Sequence, residues 1–163
     1  MKKKATYIAG IAGIIIITLA ILFTYSADQA KNRGKIFGDS LQTIQAELKQ
    51  TQTEFYSQRK MLEEGTIQKE EFLELGNSHI QKMQDIIKSY DLLFPPESFA
   101  KSVKLFREST QKQLESDQYL IQWIATNDTS QRIRSDVLLQ ESFEDELAGL
   151  ASYNQAKNSA GQN

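Results

Sequence analysis

Between residues 39 and 148 the only glycines are Gly65 and Gly76, and the only prolines are the adjacent Pro95 and Pro96. A chain so poor in helix breakers, with no runs of alternating β-branched residues, has little to fold into except long helices. Three clusters interrupt it. Glu63-Glu64-Gly65-Thr66 offers a glycine for a left-handed helix end and a threonine cap. Phe94-Pro95-Pro96-Glu97 stops one helix at Pro95 and suits the first turn of the next at Pro96. Thr126-Asn127-Asp128-Thr129 is four turn or cap formers in a row. The expected helices are about 30–63, 66–93, 96–125 and 129–156, each roughly 40–50 Å long.

Each expected helix carries an apolar line at three-to-four spacing. The first has Phe37, Leu41, Ile44, Leu48, Thr51 and Phe55; the second Phe72, Gly76, His79, Met83, Ile86 and Tyr90. The third has Phe99, Val103, Phe106, Thr110, Leu114, Asp117, Ile121 and Ile124; the fourth Ile133, Val137, Gln140, Phe143, Leu147 and Leu150. Such lines face a core, and short connections make successive helices antiparallel. The expected fold is therefore all-α: an N-terminal transmembrane helix followed by an antiparallel up-down-up-down four-helix bundle over 36–153. The alternative is a three-helix coiled coil on a continuous helical stalk through Gly34 and Gly38. Residues 154–163 are small and polar and read as a disordered tail.

The transmembrane expectation rests on residues 5–25, which hold no charge and no proline and centre on Ile14-Ile15-Ile16-Ile17. About 20 such residues cross a bilayer core, and in lipid the backbone must form helix to satisfy its own hydrogen bonds. Tyr7 and Tyr25 fall near the ends, at headgroup depth. Lys2, Lys3 and Lys4 form a basic flank over residues 1–4 that favours a cytoplasmic N-terminus and a bundle outside the cell. Lys31, Arg33 and Lys35, in the juxtamembrane segment 26–35, pull the other way. The rival reading is a secretory signal cleaved near Ser26, which also exports the rest. Ala5, Ala9 and Gly13 repeat at four-residue spacing, a stripe that lets membrane helices approach but is also common in spans.

Charge and composition exclude several functions. Beyond the first four residues, 16 Lys and Arg stand against 21 Asp and Glu, the wrong balance for displacing counterions from nucleic acid. With no cysteine and one histidine, thiolate zinc sites, iron–sulfur clusters and the paired Glu-x-x-His of di-iron bundles are ruled out. No phosphate loop or nucleophile elbow is present. No cofactor, metal or catalytic residue is assigned.

Five residues remain as candidates. Reflecting the last hairpin about residue 127 sets Asp117 level with Asp136, a carboxylate pair for a cation or for acid–base work, unless each faces water or pairs with Arg132 or Arg134. His79 lies on an apolar line, level with Thr51 and Thr110 or Gln111, where a buried polar layer fixes register. Asn127 begins an Asn-x-Thr sequon, a glycosylation acceptor if the domain is exported; the same residues also suit a helix cap. Trp123 stands off the main apolar line, as a partner contact would.

The segment Leu92-Leu93-Phe94-Pro95-Pro96-Glu97-Ser98-Phe99, followed by Ser116-Asp117 and Leu120-Ile121 with Trp123, resembles a group of uncharacterised, membrane-anchored helical proteins of archaea and Gram-positive bacteria with a Leu-x-Pro-Pro hairpin turn. The resemblance implies an anchored helical protein and brings no activity with it. The functional expectation is a non-enzymatic scaffold or protein-interaction module with a protein partner, and a homo-oligomer is left open. The alternative is an extracytoplasmic ligand-binding or sensory bundle that signals through a partner.

Overall fold

The computed structural model of the protein describes residues 32–160. The expected membrane span, its basic flank and residues 161–163 lie outside them. Among the described residues there are four helices and no strand: α1 (Asn32–Glu63), α2 (Lys69–Asp91), α3 (Ala100–Thr126, preceded by a 3-10 turn at Glu97–Phe99) and α4 (Thr129–Ala160). None of these helices is long and apolar enough to cross a membrane.

Successive helices run antiparallel, as their cross-links require. Gln45 and Gln52 of α1 reach Tyr90 and Met83 of α2. His79 and Tyr90 of α2 meet Asp117 and Thr110 of α3. Ser116 and Ser109 of α3 meet Ser135 and Glu146 of α4. All four helices share one apolar cluster, with Phe37, Leu41, Ile44 and Leu48 of α1 packed among Met83, Ile86, Phe99, Phe106, Leu150 and Tyr153. α1 is thus a member of the bundle and not a stalk. A second cluster at the far end gathers Phe55, Ile67, Phe72 and Leu120. Burying each such side chain contributes about 1.5–3 kcal/mol.

The turns follow local chemistry. Gly65 adopts φ 73°. The Thr66 amide donates to Met61 O and the Gly65 amide to Leu62 O, a Schellman ending that only a left-handed residue completes without strain. Thr66 serves this ending and does not cap α2, which starts after Gln68. Asn127 is left-handed at φ 59°, and its amide donates to Trp123 O. Asp128 Oδ1 accepts from the Ser130 amide at 2.9 Å, so Asp128 is the cap of α4.

The apolar lines of α1, α2 and α3 face the core as expected. That of α4 does so only in part, through Leu150, which is buried, and Phe143, which is half-buried. Ile133, Val137 and Leu147 are 60%, 51% and 55% exposed, and Gln140 is exposed with them. The interior line of α4 is Ser135, Ser142, Glu146, Gly149, Leu150, Tyr153 and Ala156. The reason is a repeat of small residues every seven positions. Ser102, Ser109 and Ser116 on α3 face Ser135, Ser142, Gly149 and Ala156 on α4. Backbones meeting through small side chains come close, and α3 with α4 is the most extensively apposed helix pair. Ser116 Oγ lies 2.8 Å from Ser135 O and 3.0 Å from Ser135 Oγ. The same line carries α4 past residue 153 to Ala160, because Ala156 is still buried. Outside the seam, Lys112 pairs with Asp145 at 2.9 Å and Glu141 at 3.4 Å; the hydrogen bond to Asp145 holds its ammonium above the usual lysine range.

Gly149 tests this packing. A Cβ there would meet two atoms of the Phe106 ring at 2.8 Å. At Gly76 a Cβ would meet a single side chain, Ile121, with its Cδ1 at 2.9 Å and its Cγ1 at 3.2 Å. Urea unfolding of Gly149→Leu is expected to show a loss of about 2–3 kcal/mol from overpacking. Gly76→Ala, where helix propensity gains up to about 1 kcal/mol, is expected to be neutral or slightly stabilising.

Candidate functional site

Between the two apolar clusters lies a layer of polar side chains from three helices. Asp117 on α3 is 1% exposed and His79 on α2 is 4% exposed. His79 Nε2 lies 2.8 Å from Asp117 Oδ2, and against a carboxylate this nitrogen is the one that carries the proton and donates. Gln52 Nε2 of α1 donates to the same oxygen at 3.0 Å and touches Met83 Sδ at 3.7 Å. The Phe55 ring stacks on the imidazole, 4.1 Å between centroids and 10° from parallel, which fixes the ring plane. The enclosed negative charge also reaches Tyr56, whose hydroxyl is raised well above 10 by desolvation first and then by Asp117. His79 Nδ1 and Gln52 Oε1 have no hydrogen-bond partner.

A second polar layer lies nearer the Phe99 end. Gln45 Nε2 donates to Tyr90 Oη at 2.6 Å, and Thr110 Oγ1 approaches the same oxygen at 3.5 Å. Burial, and then the charge of Glu146, raise the Tyr90 hydroxyl beyond its ordinary range. Ser109 Oγ donates to Glu146 Oε2 at 3.1 Å, and Gln113 Nε2 donates to Ser109 Oγ at 3.3 Å.

The candidates separate accordingly. His79 and Asp117 come together, and Asp136 does not join them. Its side chain is 71% exposed, with Arg132 Nε 4.0 Å away. The reflected hairpin sets the height correctly, but the residues that face each other are Ser116 and Ser135. One residue further along each helix is a rotation of about 100°, which turns Asp117 toward α2 and Asp136 toward solvent. His79 sits level with Gln52 and Asp117, not with Thr51 and Thr110. The segment 92–99 is not a symmetric turn. His79 is about 18 Å along α2 from Asp91 and Asp117 about 27 Å along α3 from Phe99, so the connection climbs roughly 9 Å before α3 descends. Asn127 is exposed and serves as the left-handed end of α3. Trp123 is half-buried, and the Arg132 guanidinium covers its ring at 4.7 Å.

Gln52, Gln45 and Glu146 were not legible as site residues, because amides and a lone glutamate on helices read as solvated surface, and Phe55 read only as core. Among the described residues no three His, Cys, Asp or Glu side chains converge as metal ligands. A surface groove of about 310 Å³ between α1 and α2 is lined by Glu47, Gln50, Glu54, Lys82, Asp85 and Ser89, with Lys82 Nζ 2.9 Å from Glu54 Oε2. Searches against protein-family models, curated proteins and solved structures found no match to this chain.

The Asp117 layer has a measurable signature. His79→Leu is expected to cost about 3–5 kcal/mol, because it leaves a buried carboxylate with one amide donor. Asp117→Leu combined with His79→Leu is expected to cost less than the two single changes added together, the coupling appearing in a double-mutant cycle of urea midpoints. Asp136→Asn is expected to shift stability by no more than about 0.5 kcal/mol.

Proposed function

We propose that the chain is a membrane-anchored, non-enzymatic interaction module whose helical bundle is displayed outside the cell. The observation that carries this reading is the outward apolar line of α4. Ile133, Val137 and Leu147 lie in one stripe on a bundle whose other apolar lines are satisfied internally. Exposed apolar residues gathered on one helix face mark surfaces that meet a partner. The buried polar groups support the same reading. His79 and Asp117 use their hydrogen bonds on each other and on Gln52, beneath the surface, in the manner of a register lock rather than of a site open to substrate.

The anchor is part of the proposal. The uncharged run 5–25 behind Lys2, Lys3 and Lys4 supports a single span with the N-terminus in the cytoplasm, and the resemblance of the Pro95-Pro96 segment to anchored helical proteins agrees with it. Secretion after cleavage near Ser26 is the alternative. A ligand-binding or sensory bundle is the second reading, and it draws on the two unpartnered atoms, His79 Nδ1 and Gln52 Oε1, which a small polar guest would satisfy. Such a guest at 100 times its dissociation constant would add about 2.7 kcal/mol to stability; a melting temperature unmoved across a metabolite panel argues for the interaction module.

Two treatments of cells expressing the full chain with a C-terminal epitope test the anchor and its direction. After alkaline carbonate extraction the intact chain is expected in the membrane pellet, and protease added to intact cells is expected to remove the epitope. An epitope that survives until lysis would reverse the topology, and uncut chain in the supernatant would remove the anchor.

A further inference from the structure

Ile133, Val137, Gln140, Glu144, Leu147 and Ala151 follow one another at spacings of four, three, four, three and four, and all are exposed. That is the heptad seam of a coiled coil, placed on the outside of the bundle. We propose that it is filled by α4 of a second copy of this chain, lying antiparallel about a two-fold axis level with residue 142.

The seam is self-complementary in that direction. It sets Ile133 against the partner's Ala151, Val137 against the partner's Leu147 and Gln140 against the partner's Glu144, and the two-fold repeats each layer. Apolar meets apolar in four layers, and an amide donor meets a carboxylate in the other two. The Gln140 and Glu144 side chains already lie within reach of one another along the helix, Nε2 to Oε1 at 3.4 Å, so both project to this face. The parallel arrangement would instead stack Glu144 on the partner's Glu144, and like charges facing one another across an interface are destabilising. The isologous contact closes on itself, so it yields a dimer and not a filament.

Joined to the anchored reading, on which this step rests, the geometry has a functional consequence. From residue 142 to Ala160 is 18 residues of helix, about 27 Å, so the anchor-side ends of the two bundles lie about 54 Å apart, at opposite ends of the dimer. Six residues, 26–31, separate the apolar run from the start of α1, and fully extended they reach at most about 21 Å. Two copies standing upright in one bilayer cannot form this pair. Copies in two facing bilayers can, and the bundle becomes a homophilic bridge between membranes.

The protein has no cysteine, so introduced thiols report on one contact at a time. In sedimentation velocity of the full chain in detergent, a dimer is expected. Val137→Glu is expected to weaken self-association about tenfold or more while circular dichroism at about 25 °C stays unchanged, because Val137 is exposed in the single bundle. Mixed Val137→Cys and Leu147→Cys chains are expected to cross-link to each other on oxidation, and Ile133→Cys alone is not. A monomer, or a dimer indifferent to Val137→Glu, overturns the proposal, and so does self-cross-linking of Ile133→Cys, which marks a parallel pair. Reconstituted into phosphatidylcholine vesicles, the chain is expected to float with them and to cluster them, and Val137→Glu is expected to float without clustering. Wild-type vesicles that carry the chain and stay dispersed overturn the bridge. A chain that fails to float refutes the anchor, while the cross-links still decide the pairing.

Discussion

The close approach of α3 and α4 governs the rest of the structure. Ser102, Ser109 and Ser116 facing Ser135, Ser142, Gly149 and Ala156 let two helix backbones meet where larger side chains would hold them apart. The hydroxyls spend their hydrogen bonds on the neighbouring helix, as Ser116 does on Ser135, or on their own, as Ser102 does on Phe99 O. Because this face of α4 is turned inward, its aliphatic residues are turned outward. The exposed aliphatic residues of α4 are thus a by-product of how its tightest helix pair is packed.

The polar layers act on a different property. An exposed ion pair such as Lys82–Glu54 contributes little, because both charges stay solvated and screened. Enclosing Asp117 costs several kcal/mol before any partner is counted, and two hydrogen bonds from His79 and Gln52 offset part of that. Replacing the layer by aliphatic side chains would therefore cost little stability or even add some. What the layer supplies is height. Sliding α2 by one turn would strand a carboxylate among Met83, Phe55 and Leu120, so a single alignment of three helices survives. The Tyr90 and Glu146 layers repeat the device two turns away, and there they bring α4 into the same register.

Much of this was legible in the chain. The scarcity of breakers, Gly65, the Pro95-Pro96 pair and Asn127-Asp128 locate all four helices within a few residues, and three of the apolar lines point where hydropathy places them. The fourth misled because hydropathy weighs Ile133 and Val137 above Ser135 and Ser142, while the driving term is how closely backbones approach. Serine and glycine carry that information only when both helices are read together at a period of seven. The Asp117–Asp136 pairing failed for the same reason, since height along a helix follows from counting residues and rotation about it follows from which small residues face each other. His79 with Asp117 was hidden by the unequal climb of residues 92–99.

The rotation of α4 is the point on which the packing, the exposed seam and the pairing all turn, and paired cysteines in this cysteine-free chain measure it directly. Ser116→Cys with Ser135→Cys is expected to oxidise rapidly to an intramolecular disulfide with no loss of helicity, and Leu114→Cys with Val137→Cys is expected to stay reduced. Rapid bridging of the second pair with the first left open would place the aliphatic line of α4 inside the bundle and contradict the account.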